Sequence, residues 1–142
     1  MVALLDDHLL RDLVAENLSV ELARVLDRHD PATSNLYLYR LSKSVVSARG
    51  GALTGSWPVE ERRALGRSLL ALPPHVHVVP MQTLVYRMAE IAARHHVSTL
   101  GAEAVAAAEH LGAALYVWEG DDGPGIRGAA RSVGAPYRTV AR

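Results

Sequence analysis

Ala113-Ala114-Leu115-Tyr116-Val117-Trp118-Glu119-Gly120-Asp121-Asp122 is an apolar run that ends abruptly in acids, just before a helix begins at Pro124. It reads as a strand followed by an acidic turn. The amino terminus repeats the pattern, with Val2-Ala3-Leu4-Leu5 running into Asp6-Asp7. In open α/β sheets, ligands bind outside the carboxyl ends of the strands. Two acidic clusters at such ends could converge on one hard cation. Each cluster also has a purely local use, because Asp7 and Asp122 suit helix N-caps, where a carboxylate accepts from unpaired backbone N–H groups. Both readings stand at this point.

Between these two stretches, helical and strand signals alternate. Leu9, Leu10, Leu13 and Val14 have the three-and-four spacing of an apolar helical face. Ser19 suits the cap of a second helix carrying Leu22, Ala23 and Leu26, which Asp30-Pro31 ends. A short strand or turn around Ala32–Ser34 leads to a third helix with apolar positions Leu38, Leu41 and Val45. Gly50-Gly51 and Gly55-Ser56 predict a flexible loop, and Pro58 with Glu60 and Glu61 starts the next helix. After Pro73-Pro74, the segment His75 to Val79 alternates as a short strand, with Val76 and Val78 on one face and His75 and His77 on the other. Two more helices follow, from Met81 to about Arg94 and from Leu100 to Leu111, the second rich in alanine and closed by Gly112. A last helix from Pro124 to about Val133 and a strand from Tyr137 to Val140 complete the chain. The order predicts an α/β fold: a single three-layer domain over residues 1–142, with a mostly parallel central sheet of about five strands flanked by helices.

Composition narrows the chemistry. At 49% hydrophobic and 21% charged residues, the chain is ordinary globular protein. Cysteine is absent, which excludes disulfides, zinc–thiolate sites and cysteine nucleophiles and leaves Asp, Glu and His as metal ligands. The apolar run at the amino terminus stops at Asp6 and has no basic segment before it, so no signal peptide is expected. Glu109 and His110 interrupt the longest apolar stretch, so no membrane span is expected and a cytoplasmic location is the default. A formal net charge of zero argues against a nucleic-acid coat protein. Two cationic patches, Arg62-Arg63-Arg67 and Arg40-Lys43-Arg49, suit a few phosphates or a solvated face.

Several motifs fail on chemistry. Leu4-Leu5-Asp6-Asp7-His8 resembles the opening of a receiver domain, but no Asp lies between Asp30 and Asp121, and Lys43 is the one lysine. Gly120-Asp121-Asp122-Gly123-Pro124-Gly125 lacks the spacing and the Lys of a phosphate-binding loop and reads as a tight turn, with Asp122 or Gly123 capping the helix that Pro124 starts. No Gly-X-Ser-X-Gly elbow is present. His75 and His77 share a strand face that could ligate metal but have no evident third ligand, and His95-His96 suits a helix end. Tyr37 and Tyr39 suit either stacking on bases or packing beneath the sheet.

Val97-Ser98-Thr99-Leu100-Gly101-Ala102-Glu103, the alanine-rich run to Leu111-Gly112-Ala113, and the strand Leu115 to Trp118 ending at Glu119 carry a resemblance, over nearly the whole length of the chain, to a PIN domain, the fold of VapC-type toxin ribonucleases. Val2-Ala3-Leu4-Leu5-Asp6 and Ala129-Ala130-Arg131-Ser132-Val133-Gly134-Ala135-Pro136 extend it to both ends. It implies a bacterial Mg²⁺- or Mn²⁺-dependent endoribonuclease, in which acids hold the ion and activate water. Asp6, Glu119 and Asp121 would be catalytic, with Asp6, Glu103, Glu119 and Asp121 as metal ligands and Tyr39, Arg40 and Lys43 on the nucleic acid. The implied partners are single-stranded RNA and an antitoxin or other protein, with a homodimer as a further assembly.

The sequence departs from the family pattern at two of four acidic positions. The second falls near Tyr37 to Arg40, where no acid stands, and the third falls on Gly101. Glu103 is two residues away, which on a helix turns the side chain by about 200°. Two functions therefore stay open: a divergent metal-dependent ribonuclease, and a PIN-like module that binds RNA or a protein without cleaving it.

Overall fold

Along the first strand Leu4 faces one core cluster, while Ala3 and Leu5 face another. Leu115 and Val117 join Leu4, and Tyr116 joins Ala3 and Leu5. This period-two division is that of strands covered on both faces, as in a parallel sheet. The computed structural model describes residues 1–47 and 51–142. In order, its elements are β1 (Val2–Leu5), α1 (Asp7–Val14), α2 (Val20–Leu26), β2 (Asp30–Ser34), α3 (Asn35–Val46), α4 (Gly51–Thr54) and α5 (Val59–Leu70). They continue as β3 (His77–Val79), α6 (Val85–Arg94), α7 (Thr99–Leu111), β4 (Ala114–Trp118), α8 (Pro124–Ser132) and β5 (Tyr137–Val140). Short 3₁₀ turns occupy Met81–Thr83 and Glu119–Asp121.

All five strands are parallel, in the order β3-β2-β1-β4-β5. The chain leaves β1 in one direction for β2 and β3, then returns to place β4 on the other side. Between β1 and β4 the order reverses, and such a switch point opens a crevice at the carboxyl edge. The acids following β1 and β4 stand at that edge.

One face is covered by α6, α7 and α8, and the other by α1 and α2. Ala102, Ala104, Ala106, Ala107 and Ala108 of α7 are all buried, and their small side chains let the helix lie close to the strands. Gly112 ends α7 at φ 61°, a left-handed conformation that glycine adopts without a Cβ penalty. A third cluster joins Leu10, Val14, Leu41, Leu53, Leu65 and Val76 beneath α1, α3 and α5. No helix among the described residues is long and apolar enough to cross a membrane.

Three expectations need correction. Asp30-Pro31 does not merely end α2, since both residues belong to β2, a strand inside the sheet. Asp30 N donates to Met1 O, so by alternation the Pro31 nitrogen faces β3, whose pairing begins only at Ala32. No ladder bond is lost there. The glycine-flanked segment after α3 is also no open loop: α4 buries Leu53 and Thr54, and Thr54 Oγ1 lies 2.6 Å from Ser44 Oγ. Gly50 and Arg49 lie outside the described residues. Finally, β3 begins at His77, so His75 precedes the strand, and both histidines are exposed.

Candidate metal centre

Asp6 is the residue where β1 gives way to α1, and it is the N-cap. Its Oδ1 accepts from Leu9 N at 2.9 Å, and its Oδ2 accepts from Trp118 N at 3.0 Å. Asp6 N in turn donates to Tyr116 O at 3.0 Å. One carboxylate thus starts a helix and ties β1 to β4. Burial raises Asp6 to about 8, against the pull of the two backbone donors, and the charges of Asp7 and Asp121 push the same way as burial. The cap expected of Asp7 belongs to Asp6. Gly123, not Asp122, stands at the N-cap of α8 and makes no side-chain capping bond. Asp122 instead accepts from Arg127 at 2.5 Å and from the Tyr137 hydroxyl at 2.8 Å.

Asp7 lies in the first turn of α1, fully buried. Its Oδ1 accepts from His8 N at 3.0 Å, while Oδ2 receives no hydrogen bond. The Arg40 Nε is 3.2 Å from that oxygen. Burial raises Asp7 to about 6, with Arg40 pulling it down and Asp121 pushing it up. His8 is also buried, its ring centroid 4.7 Å from that of Trp118. Arg142 Nη2 is 3.4 Å from its Nδ1, and the same guanidinium stacks over Trp118 at 4.3 Å. Burial, with the charges of Arg11 and Arg40, lowers His8 to about 4, so the imidazole is neutral near pH 7.

Asp121 completes a group. One ligand atom each from Asp7, His8 and Asp121 lies within 4.8 Å of the others, a spacing that could hold a metal ion. The turn that brings Asp121 there depends on Gly120, because any Cβ at that position would run into the Trp118 ring. Glu119 occupies the same turn but is exposed and outside the group.

The other expected ligands are placed differently. Glu103 is fully buried, and its Oε1 and Oε2 accept from Leu36 N at 2.8 Å and Asn35 N at 3.2 Å. It caps the positive end of α3 from 67 and 68 residues away. Gly101 packs against α8, where Ile126 leaves no room for a side chain. Tyr37 is only 2% exposed and belongs to the core. Burial raises its phenol well above 10, and the nearby charges of Asp6, Asp7 and Asp121 add to this. Tyr37 stands near the place where the resemblance implies a glutamate.

Of the residues expected to meet nucleic acid, Tyr39 and Lys43 are exposed on α3, and Arg40 reaches back to Asp7 with its side chain 45% exposed. Arg62 and Arg63 of the other patch bond to Ser47 O and Glu60. The sequence suits Tyr37 to stacking or packing, and the structure puts it in the core, whereas His8 is a site residue that the sequence reading misses. The one signal for His8 is its place directly after the strand-end acids. The chain matches no protein-family model and no curated protein.

Proposed function

We propose that this chain is a PIN-like domain that has lost metal-dependent phosphodiester cleavage and binds single-stranded RNA at the carboxyl edge of its sheet. One observation carries the loss of chemistry. A Cβ at Gly101 would stand 2.9 Å from Ile126 Cγ1 and 3.4 Å from Val97 Cβ, so the position of the third acid is filled by packing. Glu103, the nearest substitute, spends its carboxylate on α3. Hydrolysis needs ligands that fix the ion and orient the attacking water, and these two positions supply none.

Binding is supported by the outer face of α3. Tyr39 is 62% exposed, which suits stacking on a base, and Lys43 lies one helical turn away on the same side. In chelator, Tyr39→Ala should weaken binding of a labelled single-stranded RNA by about 1–3 kcal/mol, read by fluorescence anisotropy. Lys43→Gln should weaken it alike for all sequences and reduce its salt dependence. Binding unchanged in both variants would refute the RNA reading.

A second reading, a divergent Mg²⁺- or Mn²⁺-dependent ribonuclease of the toxin type, is favoured by the Asp7–His8–Asp121 group beside Asp6. An ion there would lie near Arg40, which could meet the scissile phosphate. Such an activity would call for a protein antitoxin as partner.

A further inference from the structure

We propose that Asp7, His8 and Asp121 form a binding site for a first-row transition-metal dication, and that the Arg40 guanidinium is its resident competitor, leaving Asp7 when the ion enters. The inference goes beyond RNA binding and does not depend on it. Its ligands also differ from the set implied by the PIN resemblance, since Asp7 and His8 stand in place of Asp6, Glu103 and Glu119, and Asp121 alone is shared.

Asp7 Oδ2 is the strongest pointer to a ligand. It is buried and accepts no hydrogen bond, a costly state for a carboxylate oxygen. Arg40 Nε comes within 3.2 Å but outside hydrogen-bonding geometry, so it balances charge without satisfying the oxygen. The two partners differ in freedom. The Asp7 side chain is 0% exposed, while that of Arg40 is 45% exposed and can swing into solvent without opening the core. Arg40 also offsets only one of the two negative charges of Asp7 and Asp121, whereas a dication offsets both.

The donor set selects the ion. Two carboxylate oxygens alone would suit Mg²⁺ or Ca²⁺, but an imidazole nitrogen shifts preference toward Mn²⁺, Co²⁺ or Zn²⁺. Packing on Trp118 holds the His8 ring in place, and the Glu119–Asp121 turn brings the third ligand. Two ligands are thus fixed by α1 and the third by the turn after β4.

Co²⁺ titration of the full chain, followed by calorimetry and visible absorption, tests this. Wild type should take up one equivalent of Co²⁺ and bind it more tightly than Mg²⁺. Arg40→Gln, a change at a half-exposed side chain, should tighten Co²⁺ binding at least about tenfold, the scale on which one opposing charge biases a carboxylate. Asp121→Asn, at the surface, should abolish uptake, and His8→Gln should erase the preference over Mg²⁺. If wild type and Arg40→Gln both fail to bind Co²⁺, there is no site. If Arg40→Gln binds no more tightly than wild type, Arg40 is no competitor. Retained uptake in Asp121→Asn would overturn the ligand set. RNA binding in chelator reports on the preceding reading, and either can fail while the other stands.

Discussion

Asp6 holds a backbone N–H on each oxygen, one from its own helix and one from β4. In Asp6→Asn an amide NH₂ must face one of those donors, so the variant should lose about 1–3 kcal/mol in chemical denaturation. Unchanged stability would show that the two bonds contribute nothing net. The same residue sets a pH dependence. Its folded value of about 8 lies above 3.8, so the folded state keeps a proton the unfolded state has released. Its contribution is fully present below pH 3.8 and is lost as pH rises through about 8. Asp7 behaves alike between 3.8 and about 6. His8 runs the other way, because its value falls from 6.5 to about 4 and its contribution is lost as pH falls through that range. Above pH 6.5 only Asp6 of the three remains in play, so stability should decline from pH 6.5 to 8 by at most about 1.4 kcal/mol per pH unit. The decline should vanish in Asp6→Asn. A flat profile in wild type would show that Asp6 is ionised throughout.

At the scale of elements, α7 meets the sheet, α3 and α8 through three kinds of residue. Its alanines approach the sheet, Glu103 caps α3, and Gly101 admits Ile126 of α8. Glu103→Ala would strand two N–H groups at the start of α3 and should cost at least about 2 kcal/mol, with melting temperature as the check. Gly101→Ala should destabilise by about 1–3 kcal/mol through overpacking, despite the better helix propensity of alanine. In an Ile126→Ala background that penalty should shrink, and an equal penalty in both backgrounds would show that Ile126 is not the obstacle. Helix ends of this kind were partly legible: Ser19 and Gly112 act as the local pattern implies, because caps are made by near neighbours. The roles of Glu103 and Gly101 were not, since their partners lie on α3 and α8 and no local periodicity encodes them. The α4 segment escaped for a related reason. Its glycines suggest freedom, while its buried Leu53 carbonyl accepts from Arg11, a residue 42 positions away.

For the molecule as a whole, the alternation of apolar runs and helical periods made a parallel sheet legible, and the acids at two strand ends marked its carboxyl edge. The order β3-β2-β1-β4-β5 adds that those two strands are neighbours at the switch point. Which acids share a site depended on details within that frame. A shift of one residue exchanges Asp6, held by the backbone, for Asp7, with an oxygen to spare. The proposed role of this edge is to bind RNA without cutting it. The direct measurement is incubation of a labelled single-stranded RNA with the purified chain in millimolar Mn²⁺, with binding and fragment length followed together. The RNA should be bound and remain full length. Fragments that require Mn²⁺, and that disappear in chelator and in folded Asp6→Asn, would contradict it and establish a ribonuclease.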